Sequence, residues 1–321
     1  MYLQSTFELT MCLDSEKFYK LLDKVYSSSE YSECSELKIV DQTMAAKGII
    51  VTYCDKRKKK IQLTVNVNYL LDGDEPDKSN ADKLIRKLEK QVNKYFDSSY
   101  TLDDFSLSKI SMSTDIQVGG GAQTAAYIKV LQRIGKVKGF SPSRNNSIND
   151  NISFCLDGNS NGFEFAIYDL ENLLLDHVRN TNSDCKDLRK LASKSKGLLR
   201  VEVRLVKSTA IRTCIDDTLT TDQIATLCGK TQKIFLKVFQ RVVPFGDFYK
   251  KDKATEIIRT KIADTKTRRR MLRLVALAPE KKSLLLAQKA LNYRRIDDVM
   301  EGFADIEVSP ITISKRHDVN S

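Results

Sequence analysis

The sequence has 321 residues, 41% of them hydrophobic, and its 53 Lys plus Arg against 42 Asp plus Glu leave a net charge of +11. That length predicts two domains rather than one, and no stretch approaches the roughly 18 uninterrupted apolar residues of a membrane span. Glu8, Asp14 and Glu16 near the start are unlike an export signal, so a cytoplasmic protein with no membrane partner is expected.

The seven cysteines, at 12, 34, 54, 155, 185, 214 and 228, form no C-x-x-C pair and no regular spacing. An odd, irregular set predicts neither a disulfide framework nor a structural zinc site. The positive charge is concentrated late: residues 216–321 hold 21 Lys plus Arg against 14 Asp plus Glu, which is +7 of the +11. Clustered cations reward contact with phosphates by releasing counterions, so a polyanionic partner is expected.

In chain order, residues 7–13 alternate apolar and polar side chains as a strand does, and Ser15 is expected to cap a helical pattern through Phe18, Leu21, Leu22 and Val25. The serine-rich 27–35 reads as a loop. Residues 47–53 and 61–69 read as two strands of a hairpin joined by the charged turn 55–60. A polar loop with Gly73 and Pro76 leads to a helix over 81–96, then a strand over 107–118. The order strand, helix, strand, strand, helix, strand is that of a ferredoxin-like, split βαβ unit. It predicts an α+β fold whose antiparallel sheet has one face covered by helices and the other open. A turn at Gly119–Gly121 precedes a helix over 122–134. Strands follow over 152–156 and 163–168, then a helix over 170–178, a polar loop, and a strand over 198–206. From Thr220 onward the pattern is helical, with a break at Pro244. The expected domains are therefore 1–215, α+β, and 216–321, all-helical and basic.

Side chains alternate across a strand, so each strand divides into two faces. Ile110, Met112 and Thr114 oppose Lys109, Ser111, Ser113 and Asp115. Phe163, Phe165 and Ile167 oppose Glu164, Ala166 and Tyr168, while Leu199, Val201, Val203 and Leu205 oppose Arg200, Glu202 and Arg204. In one sheet, the polar sets would share the open face. A polar, solvated face is the ordinary fate of a half-exposed sheet. Several acids with two arginines and a tyrosine also suit a divalent cation, Mg²⁺ or Mn²⁺, and a phosphate. With only His177 and His317, no Ser-His-Asp triad or multi-histidine zinc site can be assembled, and Gly119–Gly121 lacks the Lys of a phosphate-binding loop.

Residues 107–116 read LSKISMSTDI, 163–170 read FEFAIYDL, and 197–205 read GLLRVEVRL. In this order they resemble the strand motifs of rolling-circle replication initiators of plasmids and filamentous phages, and of relaxases of some conjugative elements. The resemblance covers about a third of the chain. It implies a nicking endonuclease of a mobile element in which Tyr168 attacks a phosphate of single-stranded, origin-like DNA. Asp115, Glu164, Asp169 and Glu202 would hold the metal, Arg204 the reacting phosphate and Arg200 the DNA, with host replication proteins as further partners. The sequence departs from the pattern at Leu170, where a basic residue often follows, and at Ser111, where a first acid is expected. These departures keep open a DNA-binding protein on the same fold that does not cleave. An RNA-binding module is a third reading, for which the sheet lacks paired stacking aromatics.

In the helical third, Arg268, Arg269, Arg270 and Arg273 lie beside Met271, Leu272, Leu274 and Val275, giving a cationic helix side that can hold phosphates or simply face solvent. Residues 296–304, followed by a helix opened by Ser309 and Pro310, would make a helix-turn-helix. Thr312, Lys315 and Arg316 would then lie on its recognition helix.

Overall fold

The computed structural model describes residues 2–27, 30–35, 37–143, 152–158, 161–180, 186–292 and 296–313. The first part of the chain forms β1 (Gln4–Leu13), α1 (Ser15–Tyr26), β2 (Tyr31–Ser35), β3 (Lys38–Asp41), β4 (Ile49–Asp55), β5 (Lys59–Asn66), α2 (Val67–Leu70), α3 (Ala81–Tyr95) and β6 (Ser106–Gln117). Then come α4 (Gly121–Gln132), β7 (Ser141–Pro142), β8 (Ser153–Asp157), β9 (Phe163–Asp169), α5 (Leu170–Asn180), α6 (Lys186–Lys194), β10 (Leu198–Leu205) and α7 (Ser208–Arg212). The elements that follow among the described residues are helices: α8 (Thr220–Val242), α9 (Lys251–Lys261), α10 (Thr265–Lys281), α11 (Leu284–Leu291) and α12 (Ile296–Asp305). The ten strands share one sheet in the order β2-β3-β4-β5-β1-β6-β10-β9-β8-β7.

The compact units do not follow the expected division at residue 215. One comprises Met1–Thr114, Asn161–Phe163 and Val203–Phe235, and the other Asp115–Ser160, Glu164–Glu202 and Leu236–Ser321. In the first unit β1 pairs antiparallel with β5 on one side and β6 on the other. Alternation buries Phe7, Leu9 and Met11 of β1 with Ile61, Leu63 and Val65 of β5. Leu84, Leu88 and Val92, four residues apart on α3, are fully buried. Each contributes about 2 kcal/mol from removal of apolar surface from water. In the second unit Phe165 meets Phe154 and Phe239, and Met271, Leu274, Val275 and Ala278 of α10 are buried.

Several expectations are corrected. The serine-rich segment read as a loop contains β2, which pairs with β3. The strand expected to run to residue 69 stops at Asn66, whose side chain accepts from the Tyr69 amide and caps α2. An Asn that offers its own acceptor to the chain three residues on competes with the strand ladder, which alternation alone does not reveal. Part of the polar loop before β10 is helix α6.

The helix-turn-helix is also corrected. Residues 309–313 are not helical. The Ser309 hydroxyl accepts from the Ile311 amide, and Val308 and Ile313 bridge in parallel to Asp247 and Lys250. Val308 and Ile311 are buried, so the segment is held extended by packing. Thr312 is 2% exposed and gives its carbonyl to Arg133 Nη1 at 2.5 Å, which removes it from any recognition surface. Lys315 and Arg316 lie outside the described residues.

Candidate functional site

β6, β10 and β9 are consecutive neighbours in the sheet, so alternation brings Asp115, Arg200, Glu202 and Tyr168 together. Arg200 donates from Nε to Asp115 Oδ1 at 2.7 Å and from Nη2 to Oδ2 at 2.8 Å. Both side chains are 23% exposed. One step further across, the Tyr168 hydroxyl donates to Glu202 Oε2 at 3.2 Å. Burial by itself would lower the pKa of Arg200. The hydrogen bonds and charge of Asp115 outweigh that, with Tyr168 and Glu202 adding to them, and hold the guanidinium above its usual value. Two pairs of opposite character thus lie side by side: a closed ion pair, and a phenol directed at a carboxylate.

Tyr168 is not on a helix-free surface, and this corrects the expectation of a wholly open face. Its residue is 5% exposed and clusters with Ala166 and Leu170, against Cys155, Leu173, Leu174 and Leu198. Leu170, Leu173 and Leu174 belong to α5, which begins directly after β9 and folds its apolar side onto the tyrosine. The ring is fixed by this apolar packing while the hydroxyl keeps its polar partner.

Asp169 points the other way, as the residue after Tyr168 in a regular strand must. It is 2% exposed, accepts from Thr124 Oγ1, and takes the Asn172 amide and Nδ2, both at 3.0 Å. Its bond to the third residue of α5 is that of a helix N-cap. Thr124 and Asn172 were not singled out from sequence, although an Asp three residues before an Asn, ahead of a leucine-rich run, carries the N-cap signal. The expected metal set therefore does not assemble. Asp115 is occupied by Arg200, Asp169 lies on the opposite face, and among the described residues no group of three or more His, Cys, Asp and Glu is arranged to hold a metal ion. Glu164 and Arg204 are half-buried, and both lie at alternating positions in phase with the site residues of their own strands.

On α10, Thr265, Arg268, Arg269, Leu272, Arg273 and Ala276 line a shallow groove of about 310 Å³. Arg268 turns back to donate to the Ile262 carbonyl at 3.3 Å. Arg269 and Arg273, one turn apart, are exposed, whereas Arg270 is half-buried. No helix among the described residues is long and apolar enough to cross a membrane.

No family model matches the chain, and no curated protein matches it. Among solved structures, the chain is similar to a rolling-circle replication initiator protein from Geobacillus stearothermophilus, with 11% identity over 98% of this chain and 99% of that chain and a TM-score of 0.33.

Proposed function

We propose that this chain is a DNA-binding replication initiator of the rolling-circle type, which breaks a phosphodiester bond in single-stranded DNA through Tyr168. The observation that carries this reading is the Tyr168 hydroxyl directed at Glu202 Oε2 across 3.2 Å. An ordinary phenol is a weak nucleophile at neutral pH, and a carboxylate within hydrogen-bond reach can take its proton as the attack proceeds. In the proposed step the Tyr168 oxygen bonds to phosphorus and the bond from phosphorus to the 3′-oxygen breaks. The phenol proton passes to Glu202, and the departing 3′-oxygen is protonated by solvent. The product is a 5′-phosphotyrosine and a free 3′-hydroxyl.

In this reading Arg204, in phase with Glu202 on β10, would contact the phosphate, and Arg200 adds positive charge offset by Asp115. The four acids do not fit a cation held by a ring of carboxylates, so this reading gives Glu202 the proton. The four strands β4-β5-β1-β6, all paired antiparallel, with α1 and α3 between them in sequence, support a ferredoxin-like unit as the framework. The exposed arginines of α10 would carry sequence-independent phosphate contacts.

One observation favours a second reading. The packing of α5 over Tyr168, at 5% exposure, is what a structural tyrosine in a non-cleaving DNA-binding protein would show. Incubating the protein with end-labelled single-stranded DNA separates the two. A covalent protein–DNA adduct that disappears in Tyr168→Phe, while salt-sensitive retention persists, supports cleavage. Retention without adduct on any strand, with or without Mg²⁺ or Mn²⁺, leaves the non-cleaving reading.

A further inference from the structure

A cleft of about 560 Å³ lies in the second unit between the turn after α4, the end of α8, and helices α11 and α12. Its walls are built rather than incidental. The Leu284 and Leu285 amides of α11 donate to the Ile134 and Lys136 carbonyls at 2.9 and 3.3 Å, and Ser283 Oγ donates to the Lys136 carbonyl at 3.0 Å. Val137 and Phe140 bridge to each other, with Gly139 at a φ of 84° completing the turn, so Lys138 projects from its tip. Arg241, from the last turn of α8, lies over the buried Phe140 ring at 5.5 Å, which holds its guanidinium at the rim.

The lining combines three chemistries. Lys138, Arg241 and Lys289 supply positive charge against one acid, Asp297, and none of the three cations forms an ion pair among the described residues. Gln240, Gln288 and Asn292 supply amides that both donate and accept. Leu285 and Met300 give a half-buried apolar wall. The volume is that of a small-ligand site. Cations for a phosphate, an apolar wall for a flat ring and amides for the ring's edge are together the complement of a nucleotide.

We propose that this cleft binds one nucleoside monophosphate unit, either free or as a nucleotide of a single-stranded DNA. The phosphate lies against Lys138 and Arg241, and the base against Leu285 with its edge read by Gln288 and Asn292. The inference does not depend on the reaction at Tyr168, because it concerns binding alone.

The test is calorimetric titration of the full chain with dAMP, with inorganic phosphate, and with a short single-stranded oligodeoxynucleotide. Expected is saturable binding of dAMP at least about tenfold tighter than phosphate, since only the nucleotide engages the apolar wall and the amides. Lys138→Ala combined with Arg241→Ala should weaken dAMP binding by roughly tenfold or more. Gln288→Glu keeps the shape of the wall while adding a negative charge, and should also weaken dAMP at an unchanged melting temperature. If Gln288→Glu weakens the oligonucleotide as well, the cleft takes a nucleotide of a strand; if it weakens dAMP alone, the ligand is a free nucleotide. The inference is overturned if dAMP binds no better than phosphate, or if a folded Gln288→Glu protein binds dAMP as the wild type does.

Discussion

Arg200 holds Asp115 with both arms of its guanidinium, at 2.7 and 2.8 Å, across the boundary between β6 and β10. Each partner is 23% exposed, so neither is well placed to recover full hydration when the other is removed. Truncating one leaves a half-buried charge without its counterpart, at a cost of roughly 2–3 kcal/mol after allowance for solvent screening. Arg200→Ala and Asp115→Ala should each lower stability by about that much, and the double variant should lose clearly less than the sum. Urea unfolding of the four proteins measures this directly. Additive losses would show that the pair is not energetically coupled.

The groove on α10 makes a separate prediction about affinity. Arg269 and Arg273 are exposed one helical turn apart, while Arg268 is drawn back to the Ile262 carbonyl. If the two exposed arginines each neutralise one phosphate, Arg269→Ala with Arg273→Ala should reduce the salt dependence of single-stranded DNA binding by about 1.4 in log K against log salt. The loss should be similar on every sequence tested. Filter retention at several salt concentrations gives the slope, and an unchanged slope would reduce these arginines to a solvated helix surface.

Much of the site's layout is legible in the sequence because period-two alternation is a strong constraint: it assigns Asp115, Arg200, Glu202 and Tyr168 to corresponding faces of their strands. Alternation also placed Asp169 on the other face, where the capping bonds to Asn172 and Thr124 now account for it. What remained hidden depends on contacts between segments distant in sequence. Leu173 and Leu174 read as one side of an amphipathic helix, and nothing local says that this side rests on Tyr168. The end of the chain misled for a similar reason. Ser309 and Pro310 are good helix openers, but burial of Val308 and Ile311, with bridges to Asp247 and Lys250, favours an extended segment.

A pH prediction follows from a partly buried chain of hydroxyls in the first unit. Tyr95 donates to Asp41 Oδ2, the Tyr53 hydroxyl lies 3.0 Å from that of Tyr95, and Thr43 donates to Asp41 from its amide and hydroxyl. Burial pushes the Tyr53 hydroxyl up to about 12, and burial with the neighbouring Tyr53 and Asp41 pushes Tyr95 up as well. A raised pKa in the fold means that the folded chain binds the proton more tightly than the unfolded chain. This contribution is therefore fully present below pH 10, near the ordinary phenol pKa, and is lost as pH rises toward about 12. Denaturant midpoints measured across that range should fall, and Tyr53→Phe should fall less steeply. An equal fall in both would assign the alkaline loss to other groups.

The Glu202 carboxylate carries the heaviest demand in the proposed reaction, because it is the group that receives the Tyr168 proton. Glu202→Gln keeps the size of the side chain and can still accept a hydrogen bond from the tyrosine, so the fold and DNA affinity should change little. An amide is far too weak a base to take the phenol proton at neutral pH. Loss of a positioned general base typically costs 10²–10⁴ in rate, so adduct formation should slow by about that factor. The pH profile offers a readout that packing alone would not move. In the wild type the positioned carboxylate takes the proton, whereas in Glu202→Gln hydroxide from bulk must take it, so the rate of Glu202→Gln should depend on hydroxide concentration more steeply than that of the wild type. Adduct formation by Glu202→Gln at the wild-type rate and with the wild-type pH profile would mean that the 3.2 Å contact only positions the ring, and that the proton leaves Tyr168 by another route.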